Sequence, residues 1–401
     1  MRNLFTIIFI SVITTFTYAQ SKKIEIGVID SINSKILNEK RDIWVYVPHN
    51  VTNGMTSKKN YPVLYLLDGD WHFVSVVGLL QHLSYTNGNT ICPEMIVVGI
   101  PSTDRYRDMT PSCDSMYSEK SGGNEKFISF IENELIPHID SLYPVEPYRM
   151  IVGHSLGGLT VINTLINHTE LFNSFVAIDP SMWWNNQSSL RETNTALSKN
   201  EFFNKSLFLA IANTMDKGID TATVKKDNSR KTLPIRSNLE FSDILNKYSQ
   251  NNLNYMVKYY QNENHGSIPL IATYDALHFV FDFYNLSLTK SDYTDTTMSI
   301  VNKIENHYKN VSERMGYKVT PTENTLYVFA INSQYMNNLP LAEHFLLQNI
   351  TYHPDSFIAH DSYGDYYVSK GNYEQASIMY KKALSIYDND DTRKKLENIK
   401  K

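Results

Sequence analysis

Short apolar runs separated by polar, turn-prone stretches dominate the first 290 or so residues of the chain. The clearest is Tyr61-Pro62-Val63-Leu64-Tyr65-Leu66-Leu67, which ends in Asp68-Gly69-Asp70. A run that is continuously apolar, rather than alternating, marks a strand covered on both faces, and Asp-Gly marks the turn that ends it. Met95–Ile100 predicts another buried strand, Tyr148–Val152 a short apolar one, Phe175–Ile178 and Leu207–Ala212 two more, and Tyr255–Tyr260 the last. Lys22 to Pro48 alternates instead and predicts two strands, the second ending in Ile43–Val47, before a polar loop over Asn50–Asn60. Helices are predicted over Phe73–Leu83, from about Glu125 to Asp140, from Gly157 to about Asn167, near Ile235–Ser249, and onward from Ile268. Strands alternating with helices predict an α/β architecture: a mostly parallel central sheet with helices on both faces. In such sheets the site lies beyond the carboxyl ends of the strands.

Beyond about residue 290 the pattern is helical throughout, with a 34-residue period. Counted from Phe357, the positions of Gly364, Tyr367, Gly371, Ala376, Tyr380 and Ala383 resemble the tetratricopeptide pattern, in which small residues let paired helices approach. One period earlier, Ala330, Ala342, Leu346 and Pro354 fit the same frame less well. The expected organisation is therefore a catalytic domain over 20–288 and a helical region over 289–401 containing two repeats, 323–356 and 357–390. Two repeats bury little surface alone, so they are expected to dock on the helices from about 292 to 316, on the catalytic domain, on a protein partner or on a second copy.

The first nineteen residues differ again. Arg2, the apolar stretch Leu4–Ile13 and Thr17-Tyr18-Ala19 form the charged, apolar and small-residue regions of a secretory signal peptide. Export to the periplasm or medium is expected, with no membrane insertion after cleavage. The formal net charge of -5, with no basic block, speaks against nucleic acid as a partner. The two cysteines, Cys92 and Cys113, could bridge in an oxidising compartment or remain two thiols; the sequence leaves both open. There is no H-E-x-x-H, paired C-x-x-C or P-loop, so no metal or organic cofactor is expected.

Candidate chemistry centres on Gly153-His154-Ser155-Leu156-Gly157, a G-x-S-x-G string between a predicted strand and a predicted helix. A reversal that tight excludes bulk beside the serine and lifts its Oγ above the sheet, as at an α/β-hydrolase nucleophile elbow. A serine hydroxyl needs a base, and His265 in Glu263-Asn264-His265-Gly266-Ser267 follows the last predicted strand, the order this fold requires. His154 is expected to pack beside the elbow and His72 to line the pocket mouth. For the acid that orients the imidazole, Asp216 leads because it follows the strand ending at Ala212; Asp220, Asp227, Asp179, Glu263 or no carboxylate at all are the alternatives. The oxyanion donors are expected to be the backbone N–H groups of Leu156 and Asp70, with Asp68 bracing the turn. Trp183 and Trp184 could wall an apolar pocket or serve as buried scaffold. Arg105 and Arg107 could meet an anionic substrate or anchor their loop.

Taken together, Tyr61–Gly69, Arg105–Pro111, Gly153–Gly158, Pro180–Trp184 and His265-Gly266-Ser267 resemble the esterase family that includes enterochelin esterases, S-formylglutathione hydrolases, feruloyl esterases and mycolyltransferases. The resemblance covers about residues 24–285 and, with the repeats, leans toward exported members of the siderophore-esterase branch. It implies hydrolysis of a small-molecule ester through an acyl-enzyme, with Ser155 and His265 in the roles given above. Acyl transfer, a feruloyl or carbohydrate esterase, and a non-catalytic binding scaffold are the rival functions.

Overall fold

A computed structural model describes residues 24–48 and 54–399. The expected signal segment 1–19 lies outside the described residues, as does part of the 50–60 loop. Eight strands form one sheet in the order β1-β2-β4-β3-β5-β6-β7-β8. They are β1 (Val28–Ser34), β2 (Glu39–Tyr46), β3 (Tyr61–Leu67), β4 (Ile96–Ile100), β5 (Val145–His154), β6 (Ser174–Ile178), β7 (Ser206–Ala212) and β8 (Asn254–Tyr260). β2 pairs antiparallel with β1 and with β4 at one edge, and β3 through β8 run parallel to one another. The mostly parallel sheet expected from the apolar runs is therefore the one found.

Successive strand side chains point to opposite faces, and here both faces are covered. Leu64, Leu66, Met150, Val152, Val176, Ile178, Phe208 and Ala210 pack on one side. Val63, Tyr65, Leu67, Ile151, Phe175, Ala177, Leu207 and Leu209 pack on the other. That is why these strands read as unbroken apolar runs. Helix α1 (Gly69–Ser84) covers the first face. The short α2 (Arg105–Asp108) follows β4. α3 (Asn124–Phe130) and α4 (Ile136–Leu142) are joined by a π-helical turn, Ile131–Leu135, where the sequence predicts one continuous helix. Pro137 has no N–H to give to the preceding turn, which accounts for the irregular ladder. α3, α5 (Leu156–Asn167), α6 (Trp184–Lys199) and α8 (Leu233–Lys247) cover the second face, and the four-residue α7 (Thr221–Val224) lies before α8. α6 has no counterpart in the sequence reading, because its few apolar positions, such as Leu190 and Leu197, stand among polar residues. α9 (Ile268–Val280) returns to the first face.

α10 (Ser299–Met315) joins the two parts of the molecule. Val311 and Met315 enter the core under α1 and α9, whereas Ile300, Val301 and Ile304 pack with the helices that follow. Those are α11 (Glu323–Tyr335), α12 (Leu339–Tyr352), α13 (Phe357–Ser369), α14 (Tyr373–Ile386) and α15 (Asp390–Asn398). α11 and α13 start 34 residues apart (357 − 323), as do α12 and α14 (373 − 339). Their N-caps keep the same period: Thr322 and Ser356 cap α11 and α13, Asn338 and Asn372 cap α12 and α14, and each side chain accepts an N–H bond. The segment before β3 docks here. Ser57 N–H donates to Glu323 Oε1 at 2.7 Å, Ser356 Oγ donates to Glu323 Oε2 at 2.6 Å, and Ile358 N–H donates to Met55 O at 3.3 Å. Among the described residues no helix is long and apolar enough to cross a membrane.

The α13–α14 pair depends on one missing side chain. A Cβ at Gly364 would lie 2.4 Å from the Tyr380 ring, which is itself buried and bonded to Asp365. Gly364→Val should therefore lower stability by roughly 1–3 kcal/mol, read as a lower urea midpoint; an unchanged midpoint would show that the ring moves aside freely.

Candidate active site

The carboxyl ends of β3, β5, β6 and β8 bring the chemistry-bearing residues together. β5 ends at His154 and α5 begins at Leu156, which leaves Ser155 alone to reverse the chain at φ 60°, ψ −116°. This backbone conformation is rare for a residue with a Cβ, and such strain concentrates at functional sites. The reversal holds because a Cβ at Gly153 would meet the Gly157 carbonyl at 2.4 Å, and one at Gly158 would meet Pro180 Cα at 3.0 Å. Ser155 is tied to β6 through its N–H to Ile178 O (2.9 Å), and Ser181 N–H donates to Ser155 O (3.0 Å). The Ser155 side chain is partly exposed, and its Oγ lies 3.4 Å from Ser181 Oγ.

His265 sits in the turn between β8 and α9. Asn264 shapes that turn: its Oδ1 accepts from the N–H groups of Gly266 (2.9 Å) and Ser267 (3.1 Å). The imidazole Nδ1 is 2.6 Å from Asp179 Oδ2. A carboxylate only accepts, so Nδ1 carries a proton, and in the neutral ring it is then Nε2 that has the lone pair. Asp179 is itself fixed. Its Oδ1 accepts from Ala212 N–H (3.2 Å) and Asn238 Nδ2 (3.0 Å), its own N–H donates to Ala210 O (2.8 Å), and its side chain is 6% exposed.

Asp216 stands elsewhere. Asn213 ties the start of its loop to the β8–α9 turn, through N–H to Glu263 O at 2.8 Å and Nδ2 to Gln261 O at 2.9 Å. The loop then leaves for solvent, where Asp216 pairs with Lys231 at 2.7 Å. Asp220 caps α7 and Asp227 bonds Ser229 and Thr232. The carboxylate brought to His265 thus comes from the end of β6 rather than from the loop after β7. The local sign of it in the sequence is an aspartate directly before Pro180 where an apolar run stops.

The remaining residues divide in two. Leu156 and Asp70 lie in the first turns of α5 and α1, where N–H groups have no partner within the helix. Asp68, left-handed at φ 52°, starts α1 and accepts two bonds from Arg105, at 2.9 and 3.1 Å. The same guanidinium donates to His154 O at 3.0 Å, so Arg105 anchors the loop after β4 to the turns after β3 and β5. Arg107 binds Glu39 at 2.7 Å and Asp108 at 2.6 Å, beside the buried Arg41. Both arginines are loop anchors rather than free sites for an anion. Trp184 is wholly buried and donates Nε1–H to Ser112 O at 2.9 Å; it is scaffold. Trp183 is half-buried against Tyr117 (ring centroids 5.3 Å). Cys92 and Cys113 are both free, and burial pushes the Cys92 thiol up to about 12.

Residues 34–223 match the family model described as "Putative esterase". The chain belongs to this esterase family. It is 30% identical over 192 residues to the ferri-bacillibactin esterase BesA of Bacillus subtilis, covering 44% of this chain and 66% of that protein. It is 29% identical over 165 residues to a siderophore enterobactin esterase of Emericella nidulans, covering 36% and 54%. The matched segments thus span between about half and two thirds of these curated relatives' own length. An IroE-like serine hydrolase from Shewanella oneidensis superposes with a TM-score of 0.65 at 29% identity, covering 80% of this chain and 98% of that one. That overlap extends beyond the sheet into the helical region, since the chain up to Tyr284 is well under 80% of its length.

Burial pushes His154 down to about 3, helped by the neighbouring His265 and His72. The unfolded chain would bind a proton at this side chain near its ordinary 6.5, and the folded chain would not. This contribution to stability is complete above pH 6.5 and is lost as pH falls toward 3. His154→Gln should accordingly weaken the dependence of the melting temperature on pH across that interval, and curves parallel to wild type would refute the assignment.

Proposed function

We propose that this protein is a serine hydrolase of carboxylic esters, with Ser155 as nucleophile, His265 as general base and Asp179 as the orienting acid. The observation that carries the reading is the 2.6 Å contact of His265 Nδ1 with a buried, fully bonded Asp179, one strand away from a serine at φ 60°. Asp179 keeps the imidazole in the tautomer whose Nε2 can take a proton, and it stabilises the imidazolium that forms. Ser155 Oγ attacks the ester carbonyl as its proton passes to His265 Nε2. The N–H groups of Leu156 and Asp70 receive the negative charge that develops on the carbonyl oxygen. Collapse of the tetrahedral species breaks the carbonyl–oxygen bond, and the proton on His265 goes to the departing alcohol. Water then repeats the sequence on the acyl-enzyme and releases the acid.

The named relatives favour siderophore esters as the substrate class. The charged, apolar and small-residue order of residues 1–19 favours action outside the cytoplasm. A hydrolase there would meet esters that arrive from the surroundings.

Wild-type protein should react with a fluorophosphonate probe, and Ser155→Ala should abolish both labelling and ester turnover, by about 10⁶-fold in kcat; near wild-type turnover in that variant would remove Ser155 as nucleophile. Asp179→Asn should lower kcat by about 10⁴-fold while Asp216→Asn changes it little. The reverse order would return the acid to the loop after β7. Comparing ferric catecholate trilactones with simple acyl and feruloyl esters tests the substrate class, and a preference for the latter would overturn the siderophore reading.

A further inference from the structure

Among the histidines, His154 has no role in the reaction as described, yet its surroundings are unusual. The pleat of β5 sends it to the same face as Met150 and Val152, toward α1 and the start of α9. There three imidazoles form a row. The His154 ring lies 4.4 Å from that of His265, tilted by 41°, and 6.0 Å from that of His72 in α1, edge-on at 88°. His154 is 8% exposed. Its carbonyl accepts from Arg105, which in turn holds Asp68 at the start of α1. The Nε2 atoms of His154 and His72 are both buried without a hydrogen-bond partner, and both residues line one cavity of about 10 Å³ between α1 and α9.

We propose that His154 is a positioning residue for ester hydrolysis: its ring, packed against that of His265, holds the β8–α9 turn so that the His265 imidazole meets Ser155. The inference rests on the serine-esterase reading above. Asp179 fixes only one atom of the His265 ring, and a single hydrogen bond leaves the ring free to swing about it. A second contact on the ring face, from the residue covalently joined to the nucleophile, removes that freedom. The base and the nucleophile then share one rigid support, the last residue of β5. Holding His154 neutral through the working range keeps a second positive charge away from the imidazolium formed during the reaction. Asp68, Asp70 and Arg105 are the charged groups nearest His72 at the far end of the row.

The test uses the full chain with p-nitrophenyl acetate. His154→Leu should lower kcat by about 10²-fold, the size of effect expected from misplacing a catalytic group by about an ångström, with KM within about twofold of wild type. His154→Phe keeps a ring against His265 and should recover much of the loss. His154→Gln keeps a polar group but no ring, and should stay close to the Leu variant. Wild-type kcat in the Leu variant overturns the proposal. If the Leu variant fails to fold, the order of the Gln and Phe variants decides, and Gln equal to or above Phe overturns it. Wild-type protein inert to both ester and fluorophosphonate overturns the esterase reading and the positioning role together, whereas an active wild type with unaffected variants overturns the positioning role alone.

Discussion

The structure depends first on a reversal of chain direction that leaves no space for a side chain. Between the last residue of β5 and the first of α5 there is one residue, and a Cβ at Gly153 would collide with the Gly157 carbonyl. The cost of holding Ser155 at positive φ is met by its bonds to neighbouring backbone, to Ile178 on β6 and from Ser181 beyond it. β5 lies between β3 and β6 in a sheet buried on both faces, so the strained residue is held by the most constrained part of the fold. The Ser155 hydroxyl is left partly exposed in these otherwise buried surroundings.

Around that point a few buried polar groups bind separate loops into one body. Arg105 joins the turn after β3, the loop after β4 and the end of β5 through Asp68 and the His154 carbonyl. Asp179 joins the ends of β6 and β7, α8 and the turn that carries His265. A buried carboxylate left without such partners would be costly, so each of these contacts also enforces the others. Loops held in this way set the His265–Asp179 pair beside the end of β5.

The helical region is not an independent appendage. α10 supplies apolar residues to the core beneath α1 and α9 and to the core of the helices that follow. Glu323 meets the segment that leads into β3, the strand whose following turn carries Asp70. Two helix pairs bury little surface by themselves, and α10 and the segment before β3 add to what they bury.

The sequence by itself determined the elements whose signal is local. Apolar runs marked the central parallel strands, because burial on both faces needs no knowledge of which neighbour does the burying, whereas the edge strand β8 carries Lys258 and alternates in exposure. The glycine spacing around Ser155, the order of Ser155 and His265, and the 34-residue period were legible for the same reason: each reflects a steric or packing demand met within a few turns of chain. α6 and the π turn before α4 were not, since a mostly polar helix and a disrupted ladder have no periodic mark. Only the tertiary structure decided which carboxylate meets His265. Asp179 and Asp216 both follow strands that end beside one another, and nothing in either loop's composition records that one turns inward under Asn238 while the other leaves for Lys231. It decided equally that Arg105 and Arg107 are anchors, that Trp184 is scaffold, and that His154 lies against His265. These are contacts between residues far apart in the chain, fixed by strand order and pleat direction rather than by the identity of the residues alone.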